Sequence, residues 1–247
     1  MEYGVESQLA LAVDTDDNYK AEKLVSVAAS CGLLTIKFGM QFLYANEFSF
    51  ASRLAETYNL SWIADLKVAD TTNTMHGAIL DCQELDVPPA AITVHIGATT
   101  LEALHNTQVQ AVPIKLLGVT ILSTMTDAEC MRRFGKPRNH LVMERAEEAS
   151  ECGLAGVVAS PQDVAMLKGE EQTAHLFTLV PGTRRPCSLK HDQLNSLPPV
   201  ETFLDGADML VVGREITQTN NVESELRRYI EALNGAPQNG GFQKLTA

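Results

Sequence analysis

Short apolar runs alternate with longer amphipathic segments along most of the 247 residues. The runs are Leu9–Val13, Leu33–Phe38, Trp62–Leu66, Ala91–Val94, Ile114–Leu122, Gly156–Ala159, Leu176–Val180 and Met209–Val212. They are rich in Val, Ile and Leu and nearly continuous, as strands covered on both faces require. Helical spacing fills the intervals at Lys20–Ser30, Phe42–Tyr58, Asn73–Leu85, Thr99–His105, Asn139–Cys152, Pro161–Leu167 and Val222–Leu233. In the last of these, Val222, Leu226, Tyr229, Ile230 and Leu233 fall on one face. Strand-to-strand spacing is roughly 20–35 residues, the length of a β-crossover-α unit. Eight such units predict a single-domain α/β protein, a (β/α)8 TIM barrel over residues 1–233. A doubly wound open sheet is the alternative that the pattern leaves. Residues 234–247 (NGAPQNGGFQKLTA) have little periodicity and predict a frayed, flexible tail.

Composition narrows the partners. Nineteen Lys and Arg against 31 Asp and Glu give a formal net charge of -12. Such a surface repels a nucleic-acid backbone or an anionic membrane, but not a small anion held by a few local cations. Five scattered cysteines without a CxxC pair argue against a disulfide framework or structural zinc. With no signal-peptide pattern at the N-terminus and no run of apolar residues long enough to span a bilayer, a soluble cytoplasmic protein is expected.

A barrel carries its active site at the C-terminal ends of its strands. The polar residues there are Asp14, Lys37, Asp65 with Lys67 and Asp70, His95, Ser123, Arg184 and Arg214. Asp65 and Lys67 are two apart, so an extended backbone points them to the same side, with Asp70 just beyond. A lysine among carboxylates stays cationic while they stay anionic. Such an array suits a substrate that develops carbanion character, with Lys67 as proton donor. For one Asp–Lys pair alone a salt bridge at the barrel mouth is the favoured reading, and Lys37 at the end of the neighbouring strand reverses that preference towards chemistry. Gly182 with Arg184, and Gly213 with Arg214, follow the seventh and eighth strands, where barrels often bind phosphate. Either alone reads as a turn with an exposed arginine. The histidines lack ligand spacing, so no metal is assigned. No GxGxxG or GxxxxGK[ST] occurs.

The segment DLKVADTTNT, Asp65 to Thr74, resembles the D-x-K-x-x-D-(I-P)-x-T signature of orotidine 5'-phosphate decarboxylases. LALAVD ending at Asp14, TIKFG with Lys37, TVH ending at His95, GVTILS ending at Ser123, VPGTRR followed by Asp192-Gln193, and GADMLVVGREIT extend the resemblance over about Leu9 to Leu233. The resemblance implies conversion of orotidine 5'-phosphate to UMP without cofactor or metal, in a homodimer with sites at the subunit interface. In that family pattern Lys67 protonates C6, Asp65 lies near the departing carboxylate, and Lys37 completes the charge array. Asp70 comes from the partner subunit, supported by Thr74. Asp14 and Lys37 take the ribose hydroxyls, Ser123 the pyrimidine edge, and Arg184, Gln193, Gly213 and Arg214 the phosphate. Residues Ser188–Ser196 correspond to a lid. Thr71-Thr72 stand where the family has Ile-Pro, Arg185 where Pro is common, and HIGAT follows the fourth strand. A Mg2+-dependent sugar-phosphate decarboxylase or aldolase of the same suprafamily, or a non-catalytic nucleotide-binding barrel, are the alternatives.

Overall fold

The computed structural model describes residues 4–96, 113–185 and 196–246. Eight parallel strands close into a barrel in sequence order. They are β1 (Leu9–Val13), β2 (Thr35–Gly39), β3 (Ser61–Val68), β4 (Ala91–His95), β5 (Lys115–Val119), β6 (Gly156–Val158), β7 (Phe177–Pro181) and β8 (Met209–Val212). Pairing of Leu9 with Leu210 closes the ring between β1 and β8. The open-sheet alternative is thereby excluded. Every apolar run of the sequence contains or overlaps one strand. Ile114–Leu122 is trimmed to Lys115–Val119, because its last residues turn into the loop that carries Ser123.

Apolar packing forms two layers. Ala10, Ile63, Ala91, Leu117, Phe177, Leu179, Met209 and Val211 make one cluster, and a larger one joins other strand residues to the surrounding helices. Trp62 is fully buried in the outer layer and donates its indole N–H to Val87 O at 2.9 Å, so its polar atom is satisfied. The expected helix Phe42–Tyr58 is two helices, Met40–Ala45 and Phe48–Tyr58. Asn46 breaks it: its backbone is extended, and its side-chain amide donates to Phe42 O at 3.0 Å. Helix Asp127–Phe134, absent from the expected set, starts in a Thr126/Glu129 capping box and stops at left-handed Gly135. The expected helix Thr99–His105 lies outside the described residues.

The closing segment departs from the expected frayed tail. Its helix Gly241–Thr246 packs Leu245, 2% exposed, against the apolar cluster that contains Ala10 and Ile63. Asn239 donates to Phe203 O and Ala207 O, each at 2.9 Å, and Lys244 pairs with the buried carboxylate of Asp208. A Cβ at Gly241 would lie 2.5 Å from Asp208 O, so only glycine permits this approach. Side-chain hydrogen bonds and a single buried leucine hold the segment, which is why hydrophobic periodicity gave no sign of it.

One polar group sits deep beside the sixth strand. Arg138 grips Asp163 with both terminal nitrogens, at 2.6 and 2.8 Å, and also donates to Ser160 Oγ at 2.8 Å. Removing one partner leaves an uncompensated buried charge. Asp163→Ala is therefore expected to cost about 3–5 kcal/mol in urea unfolding. A cost below about 1 kcal/mol would mean that the pair contributes little to stability.

Candidate functional site

β2 and β3 run side by side with Lys37 opposite Ile63 and Gly39 opposite Asp65. Beyond Ala64, β3 bulges: four residue steps from Ala64 to Val68 match two on β4, from Ile92 to Val94. Lys67 lies within this bulge at φ 52, in the left-handed region. That conformation costs a non-glycine residue roughly 1–3 kcal/mol and persists only where the surroundings hold it. The bulge re-aims the lysine, as bulges beside active sites commonly do.

The consequence is a compact charge array. Lys37 Nζ and Lys67 Nζ each lie 2.6 Å from one oxygen of Asp65, on Oδ2 and Oδ1 respectively. Thr93 Oγ1 donates to Asp65 Oδ1 at 3.0 Å and accepts the Lys67 backbone N–H at 2.9 Å. Burial alone would raise the Asp65 pKa, but the two ammonium groups outweigh it and hold the carboxyl well below the usual range. Asp65 thus remains an anion between two cations. Lys67 is the more accessible lysine, its side chain 28% exposed against 9% for Lys37. Burial, and then the charges of Arg145 and Lys67, lower the His95 pKa and favour its neutral imidazole.

A cavity of about 220 Å3 is lined by Lys37, Asp65, Lys67, Ser123, Arg184 and Arg214, with Gly182 and Gly213. Alongside it, sharing Gly213 and Arg214, a second space of about 460 Å3 is lined by Asp14 and Gln41. Asp14 lies against the end of β2, where a Cβ at Gly39 would come within 2.5 Å of its Oδ1. β3 and β7 are four strands apart in an eight-stranded ring, so Lys67 and the loop after β7 face each other across the mouth. Gly182 has φ 91, and Arg184 is buried, with Nη1 donating to Thr183 O at 2.7 Å. Arg214, by contrast, is exposed at the first turn of the short helix Arg214–Thr217. Gln193 and Asp192 lie outside the described residues, as does Ser188–Ser196 except for Ser196.

Two predicted residues are not brought to this cavity. Asp70 and Thr74 are exposed and line neither space. Asp70 accepts the Thr71 N–H at 2.6 Å, and Thr71 Oγ1 meets Thr74 Oγ1 at 3.1 Å. Polar contacts therefore order the turn where the resembled signature has Ile-Pro. Arg185 is also committed: it binds Glu215 at 2.8 Å and Glu225 at 3.0 Å and lies over the Tyr229 ring. The two neighbouring arginines thus divide, Arg184 towards the cavity and Arg185 towards the closing helices.

Sequence reasoning passed over Thr93 and Ser160. Thr93 stands two positions before His95, the same alternation that relates Asp65 to Lys67. Ser160 lines the cavity just after β6. Among the described residues, no group of three or more His, Cys, Asp or Glu side chains is placed to hold a metal ion. The described cysteines form no disulfide, and no helix there is long and apolar enough to cross a membrane.

Residues 7–229 match the model of the orotidine 5'-phosphate decarboxylase / HUMPS family. The orotidine 5'-phosphate decarboxylase of Carboxydothermus hydrogenoformans is 32% identical over 235 residues, covering 92% of this chain and 96% of the relative. That of Erythrobacter litoralis is 32% identical over 194 residues, covering 78% and 84%. Among solved structures, the Lactobacillus acidophilus orotidine 5'-phosphate decarboxylase superposes with a TM-score of 0.73 at 22% identity, over 93% of this chain and 98% of that one. The Methanocaldococcus jannaschii orotidine 5'-monophosphate decarboxylase, solved with the inhibitor BMP, gives 0.71 at 23% identity, over 92% and 99%.

Proposed function

Since the chain belongs to the orotidine 5'-phosphate decarboxylase / HUMPS family, we propose that it decarboxylates orotidine 5'-phosphate to UMP without metal or cofactor. The observation that carries this reading is the Lys37–Asp65–Lys67 array in a cavity that Arg184 and Arg214 also line. The arrangement supplies charge where a carbanion would form and cations where a phosphate would lie.

Loss of carbon dioxide leaves an electron pair at pyrimidine C6, in the plane of the ring and without resonance stabilisation. The site must lower that barrier by on the order of 20 kcal/mol. Without an electron sink, the reduction comes from preorganised charge and from binding energy at the distant phosphate. Asp65, already ionised, faces the substrate carboxylate and disfavours its charge next to the reacting carbon. As the C6–carboxylate bond breaks, the Lys67 ammonium stabilises the growing negative charge and delivers its proton to C6. Neutral Lys67 then regains a proton from solvent. Lys37 keeps Asp65 anionic throughout and reaches the ribose with Asp14. Ser123 meets the pyrimidine edge. Arg184, Gln193 and Arg214, with the backbone N–H groups at Gly182 and Gly213, bind the phosphate.

The working unit in this proposal is a cytoplasmic homodimer. Asp70, exposed beside its own barrel mouth, reaches the array of the neighbouring subunit, with Thr74 supporting the contact. A fourth charge there balances the single net positive charge of Lys37, Asp65 and Lys67. The purified protein is expected to abolish the orotidine absorbance in excess EDTA and to form UMP. Turnover that stops in EDTA and returns with Mg2+ would assign the site to metal-assisted chemistry instead.

A further inference from the structure

We propose that Thr93 is a positioning residue for Lys67, one that sets the proton donor's geometry without touching substrate; this deepens the decarboxylase reading and rests on it. Thr93 is fully buried in β4. Its hydroxyl accepts the Lys67 backbone N–H at 2.9 Å, which leaves its one proton for Asp65 Oδ1 at 3.0 Å. A hydroxyl is the smallest group that can do both at once. Asp65 Oδ1 is also the oxygen that receives Lys67 Nζ at 2.6 Å. One side chain therefore fixes Lys67 at both ends: its backbone directly, and its ammonium through the carboxylate that holds it.

The backbone end matters because Lys67 is at φ 52 inside the bulge. Such a residue relaxes when its restraints are removed. Rotation of the Lys67 backbone would swing a long side chain away from the cavity. The carboxylate end matters because, among the described residues, Asp65 otherwise takes its direction from the two lysines, and both must be free to meet substrate. The geometry thus assigns to a neutral residue on the neighbouring strand the task of holding an ion pair in register with the reacting carbon.

The test compares Thr93→Val with Thr93→Ser in the full chain. Valine keeps the shape and removes donor and acceptor, whereas serine keeps both. A misplaced proton donor costs on the order of 10²-fold, so Thr93→Val is expected to lower kcat by roughly 30- to 100-fold. KM should stay within about threefold, because the phosphate contacts lie across the mouth. Thr93→Ser should return kcat to within about threefold of wild type. A merely structural role predicts a different outcome: kcat and KM worsen together, and serine rescues neither. That result, or wild-type kcat in folded Thr93→Val, overturns the proposal. Thr93→Cys preserves volume with a weak donor and serves where the valine variant does not fold; its kcat must then fall well below that of Thr93→Ser. An inert wild type would defeat the decarboxylase reading and with it the proton-donor role, but not the placement of Lys67 by Thr93. Crystal structures of wild type and Thr93→Val decide in that case. Departure of Lys67 from the left-handed region, or loss of its contact with Asp65, supports the assignment, and an unchanged Lys67 overturns it.

Discussion

Lys67→Ala is expected to lower kcat by about 10⁴-fold or more, while UMP binding changes by no more than a few-fold. The size follows from two roles lost together. Lys67 is the ammonium whose side chain is more exposed in the cavity, so it carries both the proton and the positive charge nearest the forming carbanion. Lys37 cannot substitute: its side chain is 9% exposed, and it lies 2.6 Å from the opposite oxygen of Asp65. Asp65 stays ionised in the variant because Lys37 still faces it. With Asp70 of the partner subunit counted, the array then changes from neutral to net negative and no longer stabilises the anion that builds at C6. Binding survives because Arg184 and Arg214 follow β7 and β8 on the other side of the ring. Single-turnover kinetics with UMP binding by calorimetry separates the two effects. Activity within about tenfold of wild type would remove Lys67 from the role of acid.

Arg214→Ala is expected to lower kcat/KM by about 10²-fold or more, through a higher KM and a lower kcat together. Losing one charge-assisted contact to a phosphate costs about 3 kcal/mol. Part of that energy is realised only in the transition state, where phosphate binding holds the pyrimidine against the charge array. The neighbouring arginine provides the control. Arg185 is engaged by Glu215 and Glu225 and stacked on Tyr229, so Arg185→Ala should reduce thermal stability and leave KM within a few-fold. Steady-state kinetics on both variants tests the division. Equal KM effects would show that the phosphate is held elsewhere. A rise in KM with unchanged kcat would mean that Arg214 binds substrate and transition state alike.

The barrel was legible because buried parallel strands leave nearly continuous apolar runs, and eight of them at crossover spacing admit few topologies. Asp65 and Lys67 were legible through their two-residue spacing, and their meeting with Lys37 through the adjacency of consecutive strands. The bulge was not legible. Nothing in LKVAD marks Lys67 as left-handed, because the restraint comes from Thr93 on another strand. The split at Asn46 depended on one side-chain hydrogen bond, and the docked tail on Asn239, Lys244 and Leu245 meeting distant partners. Such contacts lie between residues far apart in sequence and have no periodic signature. Arg184 was separated from Arg185 only through the family resemblance; the physical reason, Glu215 and Glu225 of the closing helices holding Arg185, lies far along the chain.

Proton NMR of the reaction run in D2O with excess EDTA tests the assigned chemistry most directly. The protein should convert orotidine 5'-phosphate completely to UMP bearing deuterium at C6, with one carbon dioxide released per UMP. Unchanged orotidine 5'-phosphate, or conversion only after Mg2+ is restored, would contradict a metal-free decarboxylation driven by Lys37, Asp65 and Lys67.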